Sequence, residues 1–152
     1  METEKELRYA GFWIRFAAFL LDYIILMIPN FIISLPFAVL QLFFASGDSL
    51  EQQLVVFLFG MARATLIMLV DCLYFSIMES SKYQATLGKL IVGVKVVDIK
   101  GTRLSFWRAL GRYFSKFLSW ITLGVGMVII AFTKKKQGLH DMVAQTYVVY
   151  KK

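Results

Sequence analysis

The chain is short of the residues on which most enzyme and metal sites are built. One cysteine, Cys72, in 152 residues has no partner for an intrachain disulfide and makes no cysteine metal site by itself. It is read as a small apolar packing residue. One histidine, His140, without a second histidine, a nucleophile or cysteine partners, gives neither a catalytic nor a metal constellation. Thr86-Leu87-Gly88-Lys89 contains a Gly-Lys pair but lacks the upstream glycine of a phosphate-binding loop. The two prolines, Pro29 and Pro36, both fall in the first apolar run and are expected to kink it or end part of it. Repeats, linkers and low-complexity tracts are absent. A secretory leader is not legible either, because the opening Met1-Glu2-Thr3-Glu4-Lys5-Glu6 is acidic where a leader would be basic. The first apolar run is therefore expected to stay as an anchor. These absences point away from an enzyme, a metal and a cofactor.

Charge is missing over long stretches. Tyr23 to Gly47 and Phe117 to Thr133 contain no Asp, Glu, Lys or Arg, and Leu54 to Met78 is broken only by Arg63 and Asp71. The chain as a whole is 59% hydrophobic and 18% charged, against about 45–50% and about 25% for soluble domains. A helix needs about 20 apolar residues to cross the hydrocarbon core. Two runs reach that length and the third falls short.

The formal charge of +7 abuts these runs, which fits juxtamembrane residues meeting anionic lipid rather than a nucleic-acid face. Lys5, Arg8 and Arg15 precede the first span. Ser46 to Gln53 between the spans holds acids only, and eight basic residues from Lys82 to Lys116 follow the second. The positive-inside rule then predicts a multi-pass protein of the cell membrane with a cytoplasmic N-terminus and an outside acidic loop. A single crossing by the third run would leave Lys134-Lys135-Lys136 and Lys151-Lys152 outside. A hairpin, capped by Ser105 and turning at Gly124 and Gly126, instead returns the C-terminus to the cytoplasm and is favoured. Ile91 to Asp98 and Thr146 to Tyr150 are rich in β-branched residues, and two isolated strands are natural partners.

Ionisable groups inside spans are the best pointers to a site, since a charge at mid-helix costs about 2.5–3.5 kcal/mol on translocon scales. Arg15 and Asp22 lie seven residues apart on one helical face. Asp71, on the second, oppositely running span, is expected at a depth like that of Asp22. Two such carboxylates share a proton, bind a cation or are neutralised by arginine. Arg108, Arg112 and Lys116 recur at i, i+4, i+8 as one cationic stripe, from which Arg112 could reach that layer. The competing reading is a salt-bridge network that fixes helix register. His140-Asp141, directly after Gly138, is expected to cap the hairpin or tie it to the first helix.

Ala10-Gly11-Phe12-Trp13-Ile14-Arg15 with Leu21-Asp22, then Thr86-Leu87-Gly88-Lys89 with Gly93 and Val96-Val97-Asp98, then Gln137-Gly138-Leu139-His140-Asp141 with Thr146 together resemble the RDD family of small integral membrane proteins. The three motifs occur in the family's order over nearly the whole chain. Tyr83-Gln84-Ala85-Thr86 departs slightly from the Gly-Gln-Thr-like stretch of relatives. The arginine and two aspartates of the family name correspond to Arg15, Asp22 and Asp141, with Thr86, Gly88, Lys89 and His140 as supporting motif residues. The resemblance implies antiport of a monovalent cation (sodium, lithium or potassium) against a proton. Asp22 would then exchange the ions, Asp141 would be a gate or second site, and Arg15 a counter-charge. With no internal repeat, a homo-oligomer would have to build the pathway. The alternative is a membrane scaffold or accessory subunit whose basic cytoplasmic face docks a partner or anionic lipid.

The expected fold is an all-α polytopic membrane protein forming one RDD-type domain over 1–152. It has two long transmembrane helices, spans about 14–44 and 54–78, and a helical hairpin, full or partly re-entrant, at about 105–134. A small cytoplasmic β-element at about 91–104 pairs with 146–150.

Overall fold

The computed structural model describes residues 7–45, 49–121, 129–130, 132–133 and 135–151. Two long helices, α1 (Phe12–Phe44) and α2 (Leu50–Ser80), come first. They are followed by a short helix α3 (Leu87–Ile91), strand β1 (Val94–Asp98), helix α4 (Phe106–Ile121), a short helix α5 (Leu139–Val143) and strand β2 (Thr146–Tyr150). The proposed hairpin turn at Gly124 and Gly126 lies outside the described residues.

The long helices follow from their composition. At 33 and 31 residues and about 1.5 Å per residue, each exceeds the ~30 Å of a hydrocarbon core. Neither Pro29 nor Pro36 ends α1. Ser49 caps α2, its hydroxyl accepting from Gln52 N at 3.3 Å and donating to Gln52 Oε1 at 3.1 Å, a Ser-x-x-Gln start. Their most apolar stretches are not the core of anything: only 6% and 0% of those windows is buried by the protein itself. Met27, Ile28, Phe31 and Phe57 are more than half exposed. Exposed apolar area on that scale belongs in lipid.

The chain divides into two compact units, residues 24–72 and the remainder. In the 24–72 unit, Gln41 Nε2 donates to Val56 O at 3.2 Å and Asn30 Nδ2 donates to Asp71 Oδ1 at 3.2 Å. Phe44 and Phe59 pack with ring centroids 6.0 Å apart.

The other unit is built on the antiparallel pair β1–β2, in register from Val94 opposite Tyr150 to Asp98 opposite Thr146. Residues 8–10 add a short third edge, with Ala10 N donating to Val148 O at 2.8 Å and Tyr150 N to Arg8 O at 2.9 Å. Ala10, Val94, Val96, Leu104, Ala109 and Val148 form one buried face, and Val97, Tyr147 and Val149 the other. Burial on both faces explains why these strands read as unbroken β-branched runs rather than alternating ones. β1 starts at Val94, later than its β-branched run, because Ile91 closes α3 and Gly93 turns at φ +74, a conformation that favours glycine. After β1, the Asp98 carboxylate accepts from Lys100 N, Thr102 N and Thr102 Oγ1, each at 2.8 Å. That side-chain-made turn closes at Gly101, φ +78.

Candidate functional site

Two adjoining polar clusters sit in the sheet-containing unit. The first surrounds Asp22, 1% exposed on α1. Its Oδ1 accepts from Tyr74 OH at 2.9 Å and Gly88 N at 2.8 Å, and its Oδ2 from Thr86 Oγ1 at 2.5 Å. The Tyr74 hydroxyl in turn accepts from Leu87 N at 3.0 Å. Thr86 is the N-cap of α3, so the Thr-Leu-Gly-Lys motif is a helix start folded around a carboxylate, where backbone N–H groups need acceptors. Gly88 is required by contact rather than by its φ angle. A Cβ there would meet Ala18 O at 2.3 Å and Asp22 Cγ at 2.8 Å.

The second cluster is ionic. Arg112, 2% exposed, donates through Nη1 to Glu79 Oε2 at 2.6 Å, through Nη2 to Asp141 Oδ1 at 2.7 Å and through Nε to the same oxygen at 3.0 Å. Arg15 donates to Asp141 Oδ2, to Lys136 O and, at 2.9 Å, to Ala10 O. Lys89 Nζ donates to Glu79 Oε1. Gly138 N donates to Asp141 Oδ2 at 3.1 Å, and His140 Nε2 lies 3.4 Å from Asp141 Oδ1. Burying these charges separately would be prohibitive, and mutual pairing with multiple hydrogen bonds makes them tolerable.

These contacts set the protonation states. Burial alone would raise Asp141. The guanidinium groups of Arg112 and Arg15 outweigh that and hold it well below the usual carboxylate range. His140 is pushed down to about 3, first by burial and then by Arg112, Lys116 and Arg15, against the pull of Asp141. It is therefore a neutral imidazole at neutral pH. In the turn after β1, burial raises Asp98, but hydrogen bonds from Thr102 and Lys100 prevail and keep it low.

Arg15, Arg112 and Asp141 thus come together, with Lys89 and His140 at the edges of their network. Asp22, Thr86 and Gly88 form their own cluster, in which no arginine among the described residues pairs with Asp22. Asp71 belongs to the 24–72 unit, where its carboxylate takes a hydrogen bond from Asn30. Glu79 and Tyr74 were not singled out from sequence. Glu79 had a signal: it and Asp98 are the only acids in the 79–116 segment, against eight basic residues, so each was an obligate counter-charge. Among the described residues no group of three His, Cys, Asp or Glu is placed to hold a metal ion.

An arginine on the first helix, an aspartate seven residues on, and an aspartate in a late Gly-Leu-His-Asp motif have known counterparts, and the RDD family's model matches residues 9–145. The chain belongs to the RDD family. It is similar to the uncharacterized protein YxaI of Bacillus subtilis (strain 168), 45% identical over 86 residues, 57% of this chain and 56% of that one. It is also similar to the uncharacterized membrane protein YteJ of the same organism, 36% identical over 97 residues, 60% of this chain and 55% of YteJ. A third relative is the uncharacterized protein RP437 of Rickettsia prowazekii (strain Madrid E), 36% identical over 81 residues, 53% of this chain and 44% of that one. This RDD chain spans about half the length of the curated relatives it matches. No solved structure matches it. Family, membrane relative and two lipid-suited helices agree: this RDD chain is an integral membrane protein.

Proposed function

We propose that this RDD chain is a non-catalytic membrane scaffold whose basic cytoplasmic face docks an anionic partner or lipid. One observation carries the reading. Every carboxylate oxygen of Asp22, Glu79 and Asp141 already accepts a hydrogen bond from the protein's own donors. A carboxylate that exchanges a proton for a cation must at some stage present a bare oxygen, and here an arginine, lysine or hydroxyl would first have to leave. The exposed cations of this unit include Lys82, Lys100 and Arg103, which suit anionic headgroups or an acidic surface.

Topology belongs to the same proposal. A sheet cannot straddle a bilayer, because its backbone pairs must be satisfied on one side. Residues 8–10, 94–98 and 146–150 therefore share a side, and an even number of crossings lies between each. Two spans before β1 and a hairpin after it meet that condition, with both termini cytoplasmic by the basic flanks.

A second reading, monovalent cation/proton antiport, has its own support in Asp71. No Arg or Lys among the described residues pairs with this carboxylate, and the buried Asn30 Oδ1 beside it has no hydrogen-bond partner. Two such oxygens are the kind of ligands a small cation takes. Liposomes carrying a pH dye and purified protein separate the readings when pulsed with sodium, lithium or potassium. The scaffold reading expects no proton flux above that of empty vesicles. Cation-driven flux that disappears in Asp71→Asn or Asp22→Asn would replace it with antiport.

A further inference from the structure

The sheet-containing unit holds a cavity of about 210 Å³ whose wall is largely apolar, yet Arg15, Lys89, Arg112 and Lys116 line it together with one carboxylate, Asp22, and the His140 imidazole, with Phe16 and Phe19 beside them. Their charges do not balance. Against four cations stand three carboxylates: Arg15 pairs with Asp141, Lys89 with Glu79 and Arg112 with both, while Asp22 is held by Tyr74, Thr86 and Gly88. Lys116 has no carboxylate within ion-pair distance among the described residues. Its ammonium lies 3.9 Å from the centroid of the Phe75 ring and 5.7 Å from that of Tyr113. Aromatic faces attract a cation but do not neutralise it. A lysine ammonium in an apolar wall, beyond ion-pair distance of the carboxylates around it, is costly to hold there, and an anion entering the cavity lowers that cost.

Size and surroundings restrict the anion. A water occupies about 30 Å³ of liquid, so the cavity holds the equivalent of about seven waters, too much for a bare monatomic ion and enough for a tetrahedral oxyanion with attached carbons. Phe16 and Phe19 line it while each remains 42% exposed on α1, next to Leu20 and Tyr23, which are also exposed. The cavity wall therefore continues into surface suited to acyl chains. Lys89 also has ammonium hydrogens beyond the one given to Glu79.

We propose that this cavity binds the phosphodiester of an anionic phospholipid, with Lys116 as its counter-charge and Phe16 and Phe19 against the first methylenes of its chains. The inference rests on the scaffold reading and gives its docking function a specific lipid site. Lys116→Gln removes the charge at nearly constant volume, and Lys116→Arg keeps it.

Delipidated protein in a neutral detergent is titrated with phosphatidylglycerol, with phosphatidylcholine of the same chains, and with inorganic phosphate, and bound molecules are counted by native mass spectrometry. The expected result is one saturable phosphatidylglycerol per chain, bound at least ten-fold more tightly than phosphatidylcholine. Lys116→Gln weakens it by ten-fold or more, Lys116→Arg retains it, and inorganic phosphate does not compete. Equal affinity for the two lipids overturns the proposal. So does binding unaffected by Lys116→Gln in a variant that melts like the parent, and competition by inorganic phosphate would make the site one for a free oxyanion. Failure here with no cation flux in liposomes leaves the scaffold without this site, whereas flux removes the scaffold itself.

Discussion

At the scale of single residues, the arginine and aspartates of the family's name do different work. Asp141 pairs with two guanidinium groups with no exposure of its own. Asp141→Ala leaves Arg15 and Arg112 short of their partner in a buried site, a class of change that costs about 3–5 kcal/mol. Arg108→Ala removes a pair with Asp98 that is 3.6 Å long and 40% exposed on the arginine side, and is expected to cost about 1 kcal/mol or less. Denaturant titration in detergent checks the contrast, and equal losses would contradict it. Protonation adds a pH dependence. Unfolded His140 takes up a proton near its ordinary pKa of about 6.5, whereas the folded one resists until about 3. The unfolded chain thus binds more protons in that window, so stability falls as pH falls through it. Asp141 and Asp98, both held low, add to the loss below the ordinary carboxylate range. Melting curves from pH 7 to 4 are expected to slope downward with acid, and His140→Gln to flatten the upper part of that slope.

At the scale of elements, α3 is where a short motif becomes a structure. Five residues cannot hold a helix by propensity, and Thr86, Gly88 and Tyr74 seat this one on Asp22 of α1 instead. Gly88→Ala places a methyl against the backbone oxygen of Ala18. The expected loss is at least the ~1–3 kcal/mol typical of overpacking, with Asp22 hydrogen bonds broken as well. A Gly88→Ala protein as stable as its parent would mean that this contact is not maintained. What was legible in the sequence follows the same division. The long helices and the strand pair announced themselves through unbroken apolar and β-branched runs, because burial or lipid fixes such patterns locally. The seat of α3 did not, since Asp22 and Gly88 are 66 residues apart and nothing in either segment names the other. The hydrogen-bond partners of the two intramembrane aspartates, Thr86 for Asp22 and Asn30 for Asp71, were likewise not legible, since each is distant in sequence.

At the scale of the whole molecule, the sheet constrains the membrane topology. Cysteines placed singly at the exposed positions Lys100 and Lys151 in a Cys72→Ala background are expected to react with an impermeant reagent from the same side, the cytoplasmic one. Labelling from opposite sides would contradict both the strand pairing and the hairpin. On the proposed topology the basic residues gather on one side of the membrane, and Lys116 is the cavity cation that makes no ion pair among the described residues. Partner choice was not legible, because it depends on which cations remain unmatched after folding.

The central claim is that the buried carboxylates hold the structure and bind no transported ion, and equilibrium linkage tests it most directly. Any cation bound only by the folded state must stabilise it, by about 2.7 kcal/mol at a hundred times its dissociation constant. The melting temperature is therefore measured in sodium, lithium, potassium and choline at equal ionic strength. The account expects one value in all four. A rise specific to one small cation, lost in Asp22→Asn or Asp71→Asn, would contradict it.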